Sequence, residues 1–105
     1  MLKVKILNGV WSFIECEEDI FAETHFPKRV VKYSSSIMED EQLFKHCMVH
    51  ELTHVYQAEL GMWQNVMGNG KMNDEFDCEW IAEFVALYSQ SILDTYEEIK
   101  HLYKE

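Results

Sequence analysis

The sequence predicts an α+β domain, with a small antiparallel sheet first and two long helices after it. Three observations predict it. Residues 2–14 alternate about an Asn8-Gly9 dipeptide, a β-branched run follows the sole proline, and two long helix-patterned stretches fill the C-terminal half. The chain has 105 residues, enough for one modest core, so residues 1–105 are expected to form a single domain.

The first element is a hairpin. "LKVKIL" and "VWSFI" flank Asn8-Gly9, a pair suited to a tight type I′ turn. The acidic stretch that follows (Glu15, Glu17, Glu18, Asp19, Glu23) reads as a solvated loop or short helix. After Pro27 comes "RVVKYSS", read as a strand over Val30–Tyr33 and as a possible sheet edge for an extended peptide. Ser36-x-x-Glu39 fits a capping box and predicts a helix from Ser36 to about Leu60, with Gly61 in the left-handed position beyond its end. Gly61 to Asn73 reads as a loop. Asn73 or Asp74 then caps a second helix that continues to about Tyr103 without Gly or Pro.

Composition excludes several functions. Apolar residues make up 48% and charged ones 27%, as in folded globular chains. The net charge of −10 opposes nucleic-acid binding, which needs clustered Lys and Arg, and suits solubility or a basic partner. No stretch approaches a membrane span. Cys16, Cys47 and Cys78 are odd in number and lack CxxC spacing, so no disulfide framework is expected. The N-terminal stretch is broken by Lys, Asn and Gly before a signal-peptide core could form, and a cytoplasmic location is expected.

Chemistry concentrates in "VHELTHVYQ", residues 49–57. His-Glu-x-x-His is short enough to arise by chance in a chain containing this much His and Glu, so its surroundings matter. On the first helix Phe44, Met48, Leu52 and Val55 form an apolar stripe, with His50 and His54 together on its flank. Residues at i and i+4 stand one turn apart on one face, so both imidazoles can reach one ion. Glu51 is displaced round the helix, too far to ligate easily but able to act as a base toward water. The second helix carries Glu75, Glu79 and Glu83 at four-residue spacing beside Ala82 and Ala86, with Ile81, Phe84, Val85, Tyr88 and Ile92 on its apolar side. Any of the three carboxylates could supply a third ligand.

Here the chain resembles the gluzincin-type zinc metallopeptidases, in a small form like the ImmA/IrrE family. That family joins H-E-x-x-H on one helix to a ligand Glu in E-x-x-A-N on a later one. Glu79-Trp80-Ile81-Ala82 matches and Glu83 replaces the Asn. The resemblance covers roughly residues 28–90. It implies a minimal zincin-like fold, zinc held by His50, His54 and Glu79, Glu83 supporting a ligand histidine, and Glu51 as general base in peptide hydrolysis. The substrate would be a protein or peptide. The oxyanion donor stays open among His25, His46, Tyr33 and Tyr88. The competing reading is a non-catalytic metal-binding protein of the same fold, acting through its acidic surface. Among the remaining residues, His46 continues the histidine spacing but lies farthest from the apolar stripe, and is read as exposed. Cys47 and Cys78 are read as packing, Trp11, Trp63 and Trp80 as core or loop anchors, and Met62, Met67 and Met72 as loop packing.

Overall fold

Strands β1 (Leu2–Ile6) and β2 (Gly9–Cys16) form the expected hairpin. The structure, a computed structural model, describes residues 1–18, 21–61 and 74–103, without the side chains of residues 74–82. Ile6 pairs with Gly9, so the loop is Leu7-Asn8 rather than Asn8-Gly9. Leu7 takes the left-handed turn conformation, with φ of 54°. Gly9 is needed for a different reason. A Cβ there would run into the Glu59 carboxylate and the Arg29 guanidinium. Glu59 Oε1 accepts hydrogen bonds from Arg29 Nε at 2.6 Å and Trp11 Nε1 at 2.9 Å, so the close approach at Gly9 ties the sheet to the helix above it.

Two expectations for the acidic stretch are corrected. Glu15 belongs to β2, and Glu23 belongs to a further strand, β3 (Ala22–His25). Neither carboxylate disturbs a sheet, because alternate side chains of a strand point to opposite faces and both are exposed. Strand β4 (Val30–Ser34) pairs antiparallel with β3 and parallel with β2, giving the order β1-β2-β4-β3. The sheet is therefore mixed rather than antiparallel. Val30–Tyr33 is also not an edge. Val31 and Tyr33 are buried at 0% and 1% exposure, so this apolar strand sits inside the sheet, and the short polar β3 takes the rim.

The first helix also starts later than Ser36. Ser34 Oγ accepts from Ser36 N and opens a 3₁₀ turn over Ser35–Glu39. Helix α1 (Glu41–Glu59) then begins at Asp40, whose Oδ1 accepts from the backbone N–H of Gln42 and Leu43 at 3.0 and 3.2 Å. An aspartate both caps these free donors and places negative charge at the positive end of the helix. Gly61 has φ of 76°, as expected beyond the helix end.

Helix α2 (Asp74–Tyr103) packs antiparallel on α1. Phe44 meets Tyr96 and Tyr103, Tyr56 meets Tyr88, and Lys100 pairs with Glu41 at 2.6 Å. Phe44, Met48, Leu52 and Val55 are all buried, so the predicted stripe is the face that α1 turns to the core. On α2, Phe84 and Ile92 are buried as expected, whereas Val85 is 51% exposed. The Glu75, Glu79, Ile81, Ala82, Cys78 and Trp80 side chains lie outside the described residues, as do Trp63 and Met62, Met67 and Met72. Among the described residues no helix is long and apolar enough to cross a membrane.

Candidate metal centre

Helix α1 carries the motif with its two kinds of group facing differently. Glu51 turns toward the sheet and is 6% exposed, while His50 faces outward one turn before His54. The two Nε2 atoms lie 3.2 Å apart, with the ring planes at 82° to each other. Two nitrogens bound tetrahedrally to one zinc at the usual bond length stand about 3.3 Å apart. The contact is a hydrogen bond between the two rings, and its length is also close to the spacing of two zinc-bound nitrogens. Gln57 is one turn below, with Oε1 at 3.2 Å from His54 Nδ1. If that ring nitrogen donates, the amide oxygen fixes the tautomer that leaves Nε2 for a metal.

Glu51 is held by a residue that the sequence does not single out. Thr24 Oγ1, on β3, donates to Glu51 Oε1 at 2.6 Å. The other carboxylate oxygen, Oε2, lies 3.8 Å from His50 Nε2. Two imidazole nitrogens thus converge on the outer side of α1, and one Glu51 carboxylate oxygen lies beneath them. Burial, and then the Glu51 charge, push the Cys47 thiol up. Cys47 stays a buried thiol, in keeping with its reading as packing.

Glu79 lies within α2, but its side chain is outside the described residues. Tyr56 bonds Ser91 and Thr95 of α2, and Val49 and Leu93 line one cavity. At that helix register, residues about 89–93 pass beside the histidines, and Glu79 falls some ten residues away, about 15 Å along the axis. Glu83 is exposed on α2, and the described partner of His54 Nδ1 is Gln57. Among the described residues no three His, Cys, Asp or Glu side chains converge as a metal site.

The four candidate oxyanion donors separate clearly. Tyr33 donates its hydroxyl to that of Tyr103 inside the core, and Tyr88 packs between Phe84 and Tyr56. His25 bonds Glu23 at 3.1 Å. His46 is exposed, as expected, and lines a cavity of about 260 Å³ together with His50, Glu51 and Cys47. His46 thus lines the same cavity as Glu51 and His50.

Comparison with protein-family models, curated proteins and solved structures gives no match to the chain.

Proposed function

We propose that the chain is a cytoplasmic, zinc-dependent metallopeptidase that hydrolyses a peptide bond in a protein or peptide. The observation that carries this reading is the 3.2 Å approach of His50 Nε2 and His54 Nε2 beside the buried Glu51 carboxylate. His50 and His54 would supply two ligands. Glu79, the third that the family resemblance implies, lies about 15 Å along α2 from them and in this packing would not reach the same ion, so the third position stays open to another donor. When bound, zinc supplies a Lewis acid that acidifies water and polarises the scissile carbonyl.

The chain's own groups do the rest. Glu51 takes the proton of the attacking water at Oε2 and passes it to the leaving amine. His46, which lines the same cavity as Glu51 and His50, would donate toward the carbonyl oxygen as charge develops there. The outer edge of β3 pairs with no other strand among the described residues, and an extended peptide can add to it as a further strand.

Glu51→Gln keeps size and removes the base. The zinc-loaded variant should retain its metal and lose cleavage of a quenched-fluorescent peptide library. Undiminished cleavage by the variant, or none by the zinc-loaded parent across the library, would refute the reading.

A further inference from the structure

We infer that Thr24 is a positioning residue for the base: its hydroxyl occupies Oε1 of Glu51 and so selects Oε2 as the oxygen that takes the proton. This rests on the peptidase reading above. An ionised carboxylate has two oxygens and about four lone-pair sites, and nothing intrinsic distinguishes one oxygen from the other. Here the surroundings do. The Thr24 hydroxyl has one proton, and Oε1 at 2.6 Å lies nearer to it than the Glu51 main-chain oxygen at 3.4 Å. Oε2 is left on the side of His50, at 3.8 Å from its Nε2.

The geometry follows from the strand. Side chains of β3 alternate, so Glu23 and His25 share one face, where they bond each other at 3.1 Å. Ala22 and Thr24 take the opposite face, and Ala22 lines the cavity with Glu51 and His50. Thr24 is paired with Val31 of β4, which fixes its position along α1. The anchor also bears on catalysis through burial. A carboxylate at 6% exposure has little water to hold it in one rotamer, so a fixed protein donor takes that role. Because β3 is also the open sheet edge, the residue that orients the base lies on the strand along which a peptide would run.

The test uses zinc-loaded protein and acetohydroxamate, a small chelating acid whose acidic proton a neighbouring carboxylate accepts. Thr24→Val keeps the branched shape and removes the hydroxyl, and Thr24→Ala serves if valine disturbs folding. Either variant should bind acetohydroxamate about tenfold more weakly, the usual scale for a hydrogen bond to a charged group. Zinc affinity should not change, while Tm should fall modestly because the buried Glu51 carboxylate loses a donor. Thr24→Ser should restore binding, and in a Glu51→Gln background the Thr24→Val effect should vanish. Binding equal to the parent, failure of Ser to rescue, or a loss that persists without the Glu51 carboxylate would each overturn the inference. If the zinc-loaded parent binds no acetohydroxamate at all, the peptidase reading itself fails and carries this inference with it, an outcome seen before any Thr24 variant is made.

Discussion

Replacing Glu59 by Leu should destabilise the fold through one orphaned donor. Glu59 is 3% exposed in its side chain and accepts from both Trp11 Nε1 and Arg29 Nε through a single oxygen, Oε1. Leucine fills similar space but accepts nothing. Arg29 is 41% exposed in its side chain, so water can replace its lost partner. Trp11 is fully buried, and its indole N–H has no such recourse. Leaving a buried donor unsatisfied costs about 1–3 kcal/mol. For a domain of this size, about 2 kcal/mol lowers Tm by roughly 10 °C. Glu59→Gln, which can still accept from Trp11, should cost clearly less. Thermal unfolding followed by circular dichroism measures both variants. A Glu59→Leu protein that melts with the parent would refute the reasoning, because it would mean that Trp11 is not held in this network.

Gly9→Ala should also lower Tm, since the added methyl meets the Glu59 carboxylate and the Arg29 guanidinium. Combined with Glu59→Leu it should cost less than the two separate losses together, which a double-mutant cycle on Tm would show. Zinc titrations of Glu79→Gln, Glu83→Gln and Glu75→Gln test the third ligand. The helix register predicts little loss of affinity in any of them, and a severe loss in Glu79→Gln alone would favour the ligand set that the resemblance implies over that register.

The helices were legible because their signals are local. The Phe44–Met48–Leu52–Val55 stripe, Gly61 at the helix end and the one-turn spacing of His50 and His54 all follow from 3.6 residues per turn. The start of α1 was misplaced because Ser36 and Asp40 both offer caps, and only the chain path shows which one opens the α-helix. Strand β3 was not legible. Ala-Glu-Thr-His has no apolar run, and it becomes a strand because β4 supplies a partner. The mixed sheet order depends on the same insertion of β4 beside β2. In the site, the histidine pair lies within one helix and could be read from spacing, whereas the Thr24–Glu51 bond joins a strand to a helix and could not.

The proposed function depends on zinc binding by His50 and His54. Metal analysis of protein purified without added metal, and then titrated with zinc against a chelator, tests it directly. One tightly held zinc per chain is expected in the parent, and its loss in both His50→Ala and His54→Ala. The loss should come with a lower Tm than the zinc-loaded parent, because a ligand bound only by the folded state stabilises it. Full zinc occupancy in either alanine variant, or a parent that binds no zinc, would contradict the account.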